Sequence, residues 1–218
     1  MNVTRQMVLV LTIVGVVSSL LMAASHTLTK PLIEQHKREE LQQAIFDVLP
    51  EAKECEREGG QECQNIGTEE LRVYKGLDAA NEVVGYAFVA EGPGFQGAIQ
   101  MMVGISPDLS QLFAMKVLAQ VETPGLGARI AEETDKKDFF EQFAGLQAQG
   151  MDSVTAGSQK HPATGEIPNF IKSVKNEMPD EPNEIQAITG ATISSKAVVS
   201  IINQSLLKLK QILHSNKD

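Results

Sequence analysis

Cysteine is scarce in this 218-residue chain, with Cys55 and Cys63 set in the polar run ECEREGGQEC. No C-x-x-C pair, haem-attachment spacing or zinc spacing occurs, so dithiol redox chemistry and structural zinc have no ligand set. In an oxidising compartment the two thiols can close a small loop worth about 2 kcal/mol; reduced, they sit on a polar loop, and neither state implies catalysis. Histidine is sparse too: His26, His36, His161 and His214 lie in flanking or loop segments without ligand spacing. HExxH, GxSxG, Walker-type loops and paired carboxylates are all missing, so hydrolysis and metal catalysis lack their side chains and no metal site is expected. No dinucleotide fingerprint, internal repeat or low-complexity tract occurs. A basic excess is missing as well. From residue 44 onward 15 Lys and Arg face 25 Asp and Glu, which argues against nucleic acid as a partner.

What is present begins with one long apolar run. MVLVLTIVGVVSSLLMAA, residues 7–24, holds no charged residue. At 1.5 Å per residue it meets the lower length limit for a hydrocarbon core of about 30 Å. Arg5 lies before it and Lys30, Lys37 and Arg38 after it, so flanking charge sets no orientation. A cleaved signal peptide is the competing reading, since MAAS at 22–25 resembles a cleavage site, but the run exceeds the usual apolar core of such peptides. The expectation is a retained, single-pass anchor with residues 31–218 outside the cytoplasm. The remaining length and a hydrophobic content of 42% suit one globular domain plus an accessory segment.

Along the chain, Leu41, Ile45, Val48 and Leu49 recur at helical spacing up to Pro50, predicting an amphipathic helix that steps away from the anchor. Residues 51–70, charged and glycine-containing, read as a loop or insertion. LRVYKGL (71–77), NEVVGYAFVAEG (81–92), AIQMMVGIS (98–106) and LFAMKVLAQ (112–120) read as consecutive strands of a meander. GPGFQG (92–97) is a glycine-rich hairpin connection, DFFEQFAG a short helix closed by Gly145, and MDSVTAG with HPATGEIPNF a strand and a loop. Residues 195–213 form a final helix with Val198, Val199, Ile202, Leu206, Leu209 and Leu213 along one stripe. The fold class expected is α+β: one N-terminal transmembrane helix, then an antiparallel-sheet domain with flanking helices. The boundaries expected are an anchor at 1–30, an amphipathic helix and polar loop at 31–70, and the sheet domain at 71–218.

Two glycine-containing segments carry what chemistry the sequence offers. In ETPGLG (122–127), Gly125 and Gly127 leave backbone amides open to a flat polar ligand while Leu126 could press on its face; a tight turn between strand and helix is the plainer alternative. TGATIS (189–194) opens a helix, where orphan amides and the dipole favour an anion such as phosphate; a hydroxyl-rich cap is the plainer alternative there. Thr192 has no base nearby in sequence, so its hydroxyl is a poor nucleophile by itself and suits an attachment point better than a catalyst.

Taken in order, GYAFVAEGPGFQGAIQMMVGIS, ETPGLGARI, FFEQF and AITGATISSKAVV resemble the FMN-binding domain family of bacterial Rnf and sodium-pumping NADH:quinone reductase complexes. The resemblance covers roughly residues 85–213. It implies FMN held covalently, its phosphate esterified by a dedicated flavin transferase to the threonine of an S/T-G-A-T motif, here Thr192. Thr189, Gly190, Ala191 and Ser194 surround that position, with Thr189, Ser194 or backbone amides as donors to the phosphate. Glu122, Thr123, Gly125, Leu126 and Gly127 match the loop bordering the isoalloxazine ring. Gln186 stands where the family motif usually has aspartate. The implied role is a membrane-anchored flavoprotein relay, with no catalytic residue of its own and not a complete enzyme. The compact length points to the G subunit of an Rnf complex, working between ferredoxin and NAD with Na⁺ or H⁺ translocation, beside iron–sulfur and other flavin subunits. The C subunit of the quinone reductase, a non-redox anchored binding module and a stand-alone FMN reductase are the alternatives.

Overall fold

The computed structural model describes residues 3–56, 63–132, 139–151, 169–175 and 178–215. The chain divides into two compact units, Met1–Leu41 and Gln42–Asp218.

The first unit is helical over its described residues. Helix α1, Val3–Val48, runs through it and continues into the second unit without a break, so the apolar run and the amphipathic segment form one helix with Pro31 inside it. Thr27 and Thr29 side chains donate to the carbonyls of Ala24 and Ser25 in the turns just before the proline, at 2.9 and 2.7 Å. Such hydroxyl-to-carbonyl bonds accompany proline in helices that cross apolar surroundings. Among the described residues this one helix is long and apolar enough to cross a membrane, and its apolar side chains from Met7 to Met22 are exposed.

The second unit is an α+β domain around a five-stranded antiparallel sheet, β1 to β5 in sequential order. The strands are β1 (Glu54–Cys55), β2 (Val73–Leu77), β3 (Val83–Pro93), β4 (Ala98–Ile105) and β5 (Leu112–Gln120). The meander read from the sequence is therefore present, and the segment expected as a loop or insertion contributes β1 at the edge. Cys55 on β1 is disulfide-bonded to Cys63. The connections follow turn chemistry. Asp78 Oδ1 accepts from the amides of Ala80 and Glu82, and Asn81 takes a left-handed φ of 68° between β2 and β3.

Glycines decide how the sheet is covered. On one face the last turn of α1, with Ala44, Ile45, Val48 and the following Leu49 buried, lies almost on the strand backbone. A Cβ at Gly104 would come within 2.0 Å of the Val48 carbonyl, and one at Gly85 within 2.9 Å of Leu49. The other face carries Phe88, Ala90, Ile99, Met101 and Val103 against the C-terminal helix α2, Thr192–Ser215. Gly92 admits Ile201 there, whose Cγ1 would lie 2.7 Å from an added Cβ. Phe139, Phe143 and Phe170 close this core, each burial worth about 1.5–3 kcal/mol.

Three features differ from the sequence reading. Helix α2 begins at Thr192 rather than 195, because hydroxyl residues that disfavour helix interiors are accepted in a first turn. It is buried over more than one stripe: Asn203 brackets the backbone of Ile171, accepting from its amide at 3.0 Å and donating to its carbonyl at 2.9 Å. That segment forms β6 (Lys172–Val174), which pairs in parallel with β7 (Glu184–Gln186). The helix read at 138–145 persists as a helical Phe139–Phe140 and a 3-10 turn at Glu141–Phe143, with Gly145 at φ 80°. The strand and loop read in MDSVTAG and HPATGEIPNF, with His161, lie mostly outside the described residues.

Candidate functional site

Three glycine-containing segments meet at one carboxylate. Glu122 is only 5% exposed, and its Oε1 accepts from the backbone amides of Phe95 and Gln96 at 2.8 and 2.9 Å. Its Oε2 accepts from the Ser194 hydroxyl at 2.6 Å, in the first turn of α2. GPGFQG, ETPGLG and TGATIS are thereby joined through one side chain. Two glycines make room for it: a Cβ at Gly94 would sit 2.4 Å from Oε1, and one at Gly127 would sit 2.3 Å from Oε2. Burial by itself would raise the Glu122 pKa, but the bonds from Ser194 and from the amides of Gln96, Phe95 and Gly97 outweigh it and hold the carboxyl below its usual range.

The loop around Glu122 is a tight turn. The Thr123 carbonyl accepts from the amides of Leu126 and Ala128, both at 3.1 Å. Gly125 adopts φ 71° with nothing near its Cβ direction, so it supplies backbone freedom and open space, whereas Gly127 supplies room for the carboxylate. A 3-10 turn, Gly127–Ile130, follows and buries Ala128 and Ile130. It carries Arg129 to the other motif, where Nη1 donates to the Thr189 carbonyl and lies 3.6 Å from the Cβ direction of Gly190.

The TGAT segment leaves β7 through a turn with Gly190 at φ 88°. Ser195, fully buried, ties that turn to the helix: its hydroxyl accepts from the Ile188 amide at 3.2 Å and donates to the Ala191 carbonyl at 3.0 Å. Thr192 is the first helical residue and half-buried. Its hydroxyl makes a long 3.5 Å contact to the Ile188 carbonyl, a weak bond that costs little to give up. Thr189 and Gly190 are exposed and Ala191 is buried beneath them. The side chain of Gln186, at the end of β7, is exposed, while its backbone exchanges hydrogen bonds with the Gln142 amide group.

Apolar side chains stand exposed on the same segments: Phe95 at 67% and Leu126 at 53% on the loops, and Ile193 at 60% in the first turn of α2. Val121 is exposed too and lies against Gly97. The site therefore pairs an anion-favouring helix entrance, with a guanidinium beside Gly190, and several exposed apolar side chains. That combination fits a ligand with an anionic end and a flat apolar body, and the open direction at Gly125 leaves it space. The residues singled out at 122–127 and 189–194 are thus brought together, with Glu122 and Ser194 turned inward toward each other. Arg129, Phe95, Val121 and Ile193 were not singled out in the sequence. A cation directly after a glycine loop and one aromatic inside a glycine hairpin were the signals available.

Residues 94–207, just over half of the chain, match the model of the FMN-binding domain family. The chain is 29% identical over 201 residues to the G subunit of the ion-translocating oxidoreductase complex of Methanosarcina acetivorans, covering 92% of each. It is 31% identical over 208 residues to the G subunit of the Na⁺-translocating ferredoxin:NAD⁺ oxidoreductase complex of Acetobacterium woodii, covering 91% of this chain and 87% of that one. In fold it is similar to the C subunit of the Na⁺-translocating NADH-quinone reductase of Parabacteroides distasonis, with TM-score 0.54 at 20% identity over 82% of this chain and 94% of that one. The NqrC protein of Shewanella oneidensis gives TM-score 0.53 at 18% identity, over 79% and 74% of the respective chains.

Proposed function

The chain belongs to the FMN-binding domain family, and from that premise we propose that it is a membrane-anchored electron carrier, the G subunit of an Rnf-type ion-translocating oxidoreductase, with FMN esterified to Thr192. The observation that carries this reading is the position of Thr192: a half-buried, weakly bonded hydroxyl opening a 24-residue helix, with the 122–127 loop tied to the same first turn through Ser194. The helix entrance and Arg129 favour the single negative charge of a phosphodiester there. Phe95, Leu126 and Ile193 offer apolar surface to the ring system, and Gly125 and Gly190 keep the approach clear. In forming the ester, Oγ1 bonds to phosphorus while a phosphorus–oxygen bond of the flavin nucleotide donor breaks, and the departing part of the donor takes up the hydroxyl proton; a flavin transferase performs the step, since no hydrogen bond joins Thr192 to a base among the described residues. Bound FMN supplies the redox chemistry, accepting two electrons and releasing them singly. The chain's own residues hold the phosphate, position the ring and limit water around it.

The relatives that align along about nine-tenths of both chains are named as G subunits, which favours the Rnf complex over the quinone reductase. Its partners on this reading are the other membrane, iron–sulfur and flavin subunits, coupling ferredoxin:NAD electron transfer to Na⁺ or H⁺ movement. The ion path belongs to those subunits, because the apolar run here carries no ionisable residue. Helix α1 is the anchor, and the Cys55–Cys63 disulfide supports an extracytoplasmic domain, since such bonds persist in oxidising compartments. Affinity purification of the tagged chain from its own membranes tests the assignment. Recovery of iron–sulfur and flavin subunits, with ferredoxin-dependent NAD reduction lost in Thr192→Ala membranes, supports it; recovery of the chain alone contradicts it.

A further inference from the structure

Ser194 is the second hydroxyl of the motif, and its chemistry is already committed. Its side chain is 2% exposed and donates to Glu122 Oε2 at 2.6 Å, across 72 residues of sequence. A hydroxyl has one proton to donate, so while this bond stands Ser194 has none to offer a phosphate. Glu122 in turn is held by the hairpin amides of Phe95 and Gln96. The bond therefore runs from the hairpin, through a buried carboxylate, to the residue two positions after Thr192.

We infer that Ser194 and Glu122 are a positioning pair: the Ser194–Glu122 bond fixes the first turn of α2 against the 94–97 hairpin and so sets where Thr192 presents its hydroxyl to the flavin transferase. This rests on the flavinylation reading and deepens it. The geometry leaves little slack. Oε2 and the Ser194 hydroxyl fill the space beside Gly127, where an added Cβ would meet them at 2.3 and 2.6 Å. A hydrogen bond to an ionised, desolvated partner is among the stronger kinds, so its loss loosens the turn more than loss of a neutral contact would. Ser195, one residue on, does a separate task by closing the Ile188–Ala191 turn. The two adjacent serines thus tie the turn that carries Thr192 to two different segments, Ser194 to the loop and Ser195 to the preceding turn.

The test is the time course of covalent FMN on the full chain after induction of a co-expressed flavin transferase, read by intact mass. Ser194→Ala is expected to slow loading about tenfold, as for loss of one charge-assisted bond. Ser194→Thr, which keeps the hydroxyl, is expected to restore the rate to within about threefold. Ile202→Val trims the same helix more than two turns away and controls for lost stability; it is expected to load at the wild-type rate, with melting temperatures recorded for all three. Loading of Ser194→Ala at the wild-type rate, or equal slowing in Ile202→Val, overturns this inference and leaves the flavinylation reading standing. A wild-type chain that takes no FMN overturns both.

Discussion

Arg129 and Thr189 lie 60 residues apart in sequence, yet the Arg129 guanidinium donates through Nη1 to the Thr189 carbonyl. The 3-10 turn after the glycine loop is thus attached to the strand-to-helix turn that opens α2. With the Glu122–Ser194 bond, this gives the site two independent ties between the same pair of segments.

Arg129→Gln removes the guanidinium and its reach. Arg129 is half-buried, so the expected loss is modest, about 1 kcal/mol of unfolding free energy by urea titration. On the proposed attachment at Thr192, FMN occupancy is expected to fall by more than that loss explains, because a positive charge beside the phosphate site is lost as well. Unchanged occupancy in Arg129→Gln would remove Arg129 from the site.

Gly125 and Gly127 separate two kinds of glycine requirement. Gly127→Ala puts a methyl 2.3 Å from Glu122 Oε2, and overpacking of this kind costs about 1–3 kcal/mol. Gly125→Ala meets no atom but must hold φ 71°, costing about 1–2 kcal/mol. Gly125→Asn, whose side chain tolerates the left-handed region, is expected to fall between wild type and Gly125→Ala in urea midpoint. Gly127→Asn is expected to be worse than Gly127→Ala.

The Glu122 carboxyl sits below its usual range when folded, so it binds its proton more readily in the unfolded chain. Its contribution to stability is complete above the ordinary carboxyl value of about 4.5 and is lost as pH falls through the lower folded value. Glu122→Gln is expected to be less stable than wild type at neutral pH and to lose less on acidification. Asp108 shifts in the same direction through bonds from Ser106 and Ser110, but it is exposed and adds less. Urea titrations at several pH values check this; a Glu122→Gln chain with the full wild-type acid dependence would contradict it.

Reduction of Cys55–Cys63 releases a short loop with a sequence separation of 8, worth about 2–3 kcal/mol. Because Cys55 lies on the edge strand β1, far along the sheet order from β5, the effect is expected in melting temperature and not in FMN loading. Calorimetry with and without reductant, alongside intact mass, checks both halves.

Much of this was legible in the sequence for physical reasons. Strands β2 to β5 show short apolar runs punctuated by turn residues, and the anchor run shows its length and lack of charge. The two motifs were visible as glycine-containing segments. What they do to each other was not, because a carboxylate next to Thr123 reads as exposed until Gly94 and Gly127 are seen to vacate the space it fills. The parallel β6–β7 pair escaped notice because each strand is 3 residues long and mostly polar or half-buried. The anchor at 1–30 and the amphipathic helix after it read as two elements, whereas one helix runs through Pro31 and joins them.

The most direct measurement is peptide mapping of the chain isolated from its own host, denatured and washed free of unbound flavin. Covalent attachment predicts that the tryptic peptide ending at Lys196 is fluorescent and heavier by about 438 Da, one FMN less water, with fragment ions placing the gain on Thr192. A peptide of unmodified mass in a colourless chain, or the gain on another residue, would contradict it.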